Sequence, residues 1–232
     1  MADVLLIHGT TQGPRGWDRL VAILSARGHR CVAVDLVGRP EWGAGQYVDA
    51  IQGQVPGDLA SPIVVAHSGA GLLLPTTARA LGARRQVWLA AFVPDGRRSL
   101  VEEVRAAPTE VFNPEWLGAD PTSDPVLAAY FLFHDCDLES LRWALTTLRL
   151  FRCERLGAEA VEPAPDIPST YVVASRDRTL RPEWCRREAV RRLAADLVEL
   201  DAGHCPHVSR AADLAAILDG LASTKEQPRA GI

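Results

Sequence analysis

The run Ile63-Val64-Val65-Ala66-His67-Ser68-Gly69-Ala70-Gly71-Leu72-Leu73 constrains the fold of this chain more than any other stretch. A short, continuously apolar, β-branched segment leads into a serine flanked by small residues, and a helix-like pattern follows at once. Backbone at such a strand-to-helix corner is strained, so the residues two before and two after the serine must be small. Ala66 and Ala70 hold those positions. The arrangement is a nucleophile elbow, usually written G-x-S-x-G, with alanine replacing both flanking glycines. On its own the string also fits a serine that caps a helix.

The pattern around it favours the first reading. Val4–Ile7, Cys31–Leu36, Ile63–Ala66, Gln86–Ala91, Thr170–Ala174 and Asp196–Leu200 read as strands. Short runs without polar alternation suit strands covered on both faces. Between them Trp17–Arg27, Gly45–Val55, Ala70–Leu81, Pro182–Leu193 and Ala211–Leu221 read as helices. Strands alternating with helices predict an α/β fold, a mostly parallel sheet of about six strands wrapped by helices.

The rhythm breaks from about residue 97 to 165, where six prolines and two helix-like pieces, Val126–Phe133 and Leu138–Phe151, replace the strand pattern. This predicts a mainly helical cap at 97–165, inserted between two parts of one core, 1–96 and 166–222. The last residues, 223–232, lack periodicity and read as a flexible tail. At 232 residues the chain is long enough to bury a core without disulfide or metal staples.

Composition narrows the partners. The net charge is −4, and no basic stripe with interleaved aromatics is present, so nucleic acid is not expected. No apolar run approaches the ~20 residues that span a bilayer, and no leader pattern is visible, so neither a membrane nor secretion is expected. Five cysteines without close pairing suit the reducing cytoplasm. Lys225 is the one lysine and lies in the polar tail, which argues against Schiff-base chemistry. The expected partner is a small-molecule substrate. Oligomeric state is open, with a homodimer among the options.

A nucleophilic serine needs a base, and the base an orienting acid, in the chain order Ser…Asp/Glu…His for this architecture. Leu200-Asp201-Ala202-Gly203-His204-Cys205-Pro206-His207 follows the last strand and offers His204, with His207 as competitor. A zinc site from His204, Cys205 and His207 is the other reading, but it lacks a second ligand cluster. Asp177 follows the preceding strand and is the preferred acid; Asp95 and Asp201 are the alternatives. Val4-Leu5-Leu6-Ile7-His8-Gly9-Thr10 ends a strand in a loop whose Thr10 N–H, with that of Gly69, could hold an oxyanion. His8 reads as a structural brace for that loop.

These residues resemble the α/β-hydrolase superfamily, and within it the branch of plant methylesterases, the salicylic-acid-binding methyl esterase and the hydroxynitrile lyases. The resemblance rests on Leu6-Ile7-His8-Gly9, Gly28-His29, Val34-Asp35-Leu36, the Ala66–Gly71 string, Trp88-Leu89-Ala90-Ala91-Phe92-Val93-Pro94-Asp95, and Asp177 with Gly203-His204. It implies Ser68 as nucleophile, His204 as base, Asp177 as acid, and Thr10 and Gly69 as oxyanion donors, with no metal or organic cofactor. Asp95 has a counterpart in that branch that is not the triad acid. The similar lyases carry a threonine and a lysine where this chain has Gly9 and Cys205, which favours ester hydrolysis over cyanogenic lysis.

The expected function is therefore serine hydrolysis of a carboxylic ester, or related acyl bond, of a small and largely apolar molecule. A lyase or cyclase acting on a biosynthetic intermediate, or a small-molecule receptor with vestigial catalysis, are the alternatives. Seven of the 14 aromatics, Phe112, Trp116, Tyr130, Phe131, Phe133, Trp143 and Phe151, fall in the cap and suggest an apolar roof, some of them packing the cap onto the core instead. The polar stretch His134-Asp135-Cys136-Asp137 could face substrate or water.

Overall fold

A computed structural model describes residues 1–223. Six strands, β1 (Asp3–Ile7), β2 (Arg30–Val34), β3 (Ile63–His67), β4 (Arg85–Leu89), β5 (Ser169–Ala174) and β6 (Asp196–Leu200), form one parallel sheet in the order β2-β1-β3-β4-β5-β6. Each strand places alternate side chains on opposite faces, and both faces are covered along the four central strands. β2 at one edge is half-buried and β6 at the other is largely exposed, so the cover expected on both faces of Asp196–Leu200 is not found. Leu5, Ile7, Val64, Ala66, Trp88, Tyr171 and Val173 enter one buried cluster; Val4, Leu6, Ile63, Val65, Val87, Leu89 and Val172 enter the other. This two-sided burial is why the strand runs are apolar without a break.

Helices α1 (Asp18–Ala26), α2 (Ala44–Gln52) and α3 (Leu74–Ala80) fall between the first four strands. Between β4 and β5 come α4 (Leu100–Ala106), α5 (Pro108–Val111), α6 (Pro125–Phe131), α7 (Leu138–Leu145) and α8 (Glu154–Ala158). After β5 follow α9 (Pro182–Leu193), α10 (Pro206–Ser209) and α11 (Ala211–Ser223). Leu20 and Leu24 of α1 pack with Leu214 and Leu218 of α11 on one face of the sheet. Tyr47 and Ile51 of α2, Leu74 and Ala78 of α3, and Trp184 and Leu193 of α9 cover the other. Strand order reverses direction at β1, between β2 and β3, the place where parallel sheets open a crevice at their carboxyl edge.

Two expectations about helices need correction. The helix expected over Ala70–Leu81 opens as a 3-10 turn, Ser68–Leu72, before α3 begins at Leu74. The helix expected over Leu138–Phe151 ends at Leu145. There the hydroxyls of Thr146 and Thr147 bond back to the carbonyls of Trp143 and Ala144, both at 2.7 Å, and β-branched threonines that bond to preceding carbonyls weaken a helix. The chain then runs extended. Of the expected tail, Ser223 closes α11, and 224–232 lie outside the described residues.

Candidate active site

The carboxyl edge of the sheet gathers the side chains singled out by the sequence, because each follows a strand. Thr10 comes after β1, Ser68 after β3, Asp177 after β5 and His204 after β6. Ser68 lies at the corner itself, with φ 56, in the left-handed region that non-glycine residues seldom occupy. The strap that holds it there comes from the end of β4. The Phe92 N–H donates to the Ser68 carbonyl at 3.0 Å, and the buried Tyr171 hydroxyl donates to the neighbouring Ala91 carbonyl at 2.6 Å. Gly71 permits this approach: a methyl group built on it would lie 2.0 Å from the Phe92 carbonyl oxygen.

Ser68 Oγ lies 2.9 Å from His204 Nε2, and His204 Nδ1 lies 2.7 Å from Asp177 Oδ2. A carboxylate only accepts, so Nδ1 carries the proton and Nε2 is left to accept from the serine hydroxyl. The His204 and Asp177 side chains are each 2% exposed, so that pair is shielded from water, while Ser68 is half-buried. Asp177 Oδ1 in turn accepts from the Thr179 N–H at 2.7 Å and the Thr179 hydroxyl at 3.0 Å. Gly69 and Thr10 lie against one another, with a methyl built on Gly69 falling 2.8 Å from Thr10 Cγ2.

The other candidates are occupied elsewhere. His207 is buried, and its Nε2–H donates to Gln12 Oε1 at 2.9 Å; the Cys205 thiol also points at that oxygen. Burial, with His204 adding to it, pushes the His207 pKa down to about 3. Asp95 accepts the backbone N–H groups of Arg97 and Arg98, and Asp201 pairs with Arg176 at 2.6 Å. Neither meets His204. His8 donates from Nδ1 to the Gly9 carbonyl at 2.9 Å and accepts the Leu36 N–H at 3.0 Å, bracing two loops, with its pKa lowered to about 4 chiefly by burial. Among the described residues no group of three or more His, Cys, Asp or Glu is placed to hold a metal ion.

Sequence reasoning missed several supports. His67, fully buried beside the nucleophile, donates from Nε2 to the His204 carbonyl at 2.8 Å. Segment 147–151 clamps the loop after β1. Phe151 N–H donates to the Thr10 carbonyl at 2.8 Å, Arg149 N–H to Thr11 at 3.0 Å, and Gly13 N–H to Thr147 at 3.2 Å. Gln12 Nε2 adds a bond to Thr147 Oγ1 at 2.8 Å. Backbone pairing between remote segments leaves no trace in composition. Thr179 left one, since an aspartate whose side chain accepts the N–H two residues on is the signature of an Asx turn.

Of the seven aromatics, Phe131 and Phe133 are buried with Cys205 and Val208, and Phe151 lies in the main core against Tyr47. Trp143 lies under the Arg19 guanidinium, 4.7 Å away, and Tyr130 is exposed, its hydroxyl on Glu115. Asp137 caps α7 by accepting the Ser140 N–H at 2.7 Å.

The model of the alpha/beta hydrolase family matches residues 4–217. The chain belongs to that family. Comparison with curated protein sequences finds no match. Solved structures with the same fold include a pyrethroid hydrolase from Sphingobium faniae, 21% identical with a TM-score of 0.78 over 96% of this chain and 98% of that one. Polyneuridine aldehyde esterase is 21% identical with a TM-score of 0.75, over 96% and 100%. A methylesterase from Arabidopsis is 20% identical with a TM-score of 0.73, over 96% and 99%. The hydrolase thus shares its architecture with esterases, including a plant methylesterase, along nearly its whole length.

Proposed function

We propose that this hydrolase cleaves a carboxylic ester, or related acyl bond, of a small and largely apolar molecule through a serine acyl-enzyme. One observation carries the reading: Ser68 Oγ, His204 and Asp177 Oδ2 form a continuous hydrogen-bonded relay of 2.9 and 2.7 Å. Ser68 Oγ attacks the carbonyl carbon while His204 Nε2 takes its proton, and Asp177 stabilises the imidazolium. The tetrahedral oxyanion rests on the amides of Thr10 and Gly69, each such donor supplying roughly 3 kcal/mol in the transition state. His204 then returns the proton to the leaving alcohol. Water, deprotonated by the same base, cleaves the acyl-enzyme. The fold and the esterase neighbours support this class of chemistry.

Cys205, which follows the base, is buried, and a thiol carries no positive charge in either protonation state, so it offers no cation to a departing cyanide. That supports hydrolysis over lysis. We also place the protein in the reducing cytoplasm, in keeping with its five free cysteines. Among the described residues no helix is long and apolar enough to cross a membrane.

The decisive experiment incubates the protein with short-chain p-nitrophenyl esters and with a fluorophosphonate probe. Turnover of the esters and labelling at Ser68 alone are expected. Ester turnover with no labelling at Ser68, or labelling elsewhere, overturns the reading.

A further inference from the structure

The helical stretch between β4 and β5 grips the relay through two consecutive residues. His134 Nε2–H donates to the Arg176 carbonyl at 3.0 Å. Asp135 Oδ2 accepts the Gly203 N–H at 2.8 Å and the Ser209 hydroxyl at 2.6 Å. Arg176 and Gly203 are the residues immediately before Asp177 and His204. One dipeptide thus holds the backbone from which the acid projects and the backbone from which the base projects.

The contact is close. A methyl built on Gly203 would lie 2.7 Å from Asp135 Oδ1 and 2.8 Å from His134 Nε2, so glycine is what lets the two side chains reach the base loop. Asp135 Oδ1 is buried without a hydrogen-bond partner. An unsatisfied buried acceptor costs free energy, which a residue present only to fill space would avoid. Arg176 already ties the two loops to each other, through its N–H on the Ala202 carbonyl at 3.0 Å and its Nε on Asp201 Oδ1 at 2.6 Å. His67 holds the His204 carbonyl from the nucleophile side. Asp135 and His134 supply the grip from the opposite partner, the insertion.

We propose that Asp135, assisted by His134, is a positioning residue that sets the base loop so that His204 Nε2 faces Ser68 Oγ; this deepens, and rests on, the serine-hydrolase reading. The work is done by accepted hydrogen bonds. Both fall on one oxygen, Oδ2, so an asparagine with its oxygen there keeps both, and its amide nitrogen takes the place of the unpartnered Oδ1.

The test uses the full chain with p-nitrophenyl butyrate and a fluorophosphonate probe, on wild type, Ser68→Ala, Asp135→Ala, Asp135→Asn and His134→Ala. Small misplacements of a catalytic group cost up to about 100-fold, so Asp135→Ala is expected to lose about 10- to 100-fold in kcat with KM within about two-fold. Its labelling rate at Ser68 falls by the same factor. Asp135→Asn recovers to within about three-fold of wild type, as expected when both accepted bonds survive. Wild-type kcat in Asp135→Ala, or equal losses in the Ala and Asn variants, overturns the proposal. Should Asp135→Ala not fold, His134→Ala decides: a lowered kcat at unchanged KM supports the grip, and an unchanged kcat overturns it. Turnover by Ser68→Ala, or no labelling of wild type, overturns the serine reading itself and the proposal with it, whatever Asp135 does.

Discussion

Thr179 Oγ1 lies 2.7 Å from His204 Nδ1, the same distance as Asp177 Oδ2, while its hydroxyl proton points to Asp177 Oδ1 at 3.0 Å. The threonine therefore completes a closed triangle around the acid and the far side of the base. Its N–H alone would still hold Asp177 Oδ1, while the hydroxyl oxygen also accepts the Leu180 N–H at 2.7 Å. A hydrogen bond to a charged group is worth roughly 1.5–3 kcal/mol. Thr179→Val is expected to lower kcat on p-nitrophenyl butyrate on the order of tenfold, with KM unchanged. A loss below two-fold in steady-state kinetics would show that the hydroxyl is idle.

Removing either end of the relay should be far more costly. Triad members act as a unit, so deleting one forfeits most of what all supply together. Ser68→Ala and His204→Ala are each expected to reduce ester hydrolysis by at least ~10³-fold, and the double variant to be little worse than either single. Both replacements are small, so circular dichroism should match wild type. If the losses multiplied in the double variant, the two side chains would not share one step.

Much of this site was legible because parallel strands deliver their loops to one edge. Ser68, Asp177 and His204 each follow an apolar run, which places them at one edge; Asp95 and Asp201 follow such runs too, and it is the resemblance that favours Asp177 over Asp95. The expected bounds of Pro182–Leu193 and Asp196–Leu200 agree with α9 and β6. What stayed hidden is support that arrives sideways. The 147–151 clamp is made by backbone groups that every sequence possesses. His134 and Asp135 lie 68 or more residues from Gly203 along the chain, and no local pattern links them. Leu138–Phe151 misled because Leu141, Ala144, Leu145 and Leu148 keep helical spacing past the threonines that end the helix.

Buried neutral histidines make stability depend on pH. Burial lowers the pKa of His8 to about 4 and of His207 to about 3. In the unfolded chain both titrate near 6.5, so below that pH the unfolded state binds protons that the folded state excludes. Stability is then fully present above about pH 6.5 and declines as the pH falls toward the folded values. At pH 5 each histidine costs about 2 kcal/mol relative to pH 8, at 1.36 kcal/mol per pH unit. Urea denaturation at the two pH values measures the difference. His207→Gln should shrink it by about 2 kcal/mol; an unchanged difference would mean that His207 contributes nothing to it.

The closest backbone approach in the elbow gives the sharpest stability test. A methyl on Gly71 would meet the Phe92 carbonyl oxygen at 2.0 Å and its carbon at 3.0 Å, and the same residue's N–H holds the Ser68 carbonyl. Both atoms are main chain of the buried Phe92, just past β4, so neither can rotate away as a side chain would. Gly71→Ala must push β4's end off the elbow, at a cost of about 1–3 kcal/mol or more for an overpacked core. Because the displaced segment fixes Ser68, kcat should fall along with the melting temperature. Gly45 in α2 is the control: nothing lies within 4 Å of a methyl there, and alanine favours a helix over glycine by up to about 1 kcal/mol. Gly45→Ala is therefore expected to melt at or above the wild-type temperature with full activity. Equal melting temperatures for the two variants would show that the strap between Phe92 and the elbow yields freely.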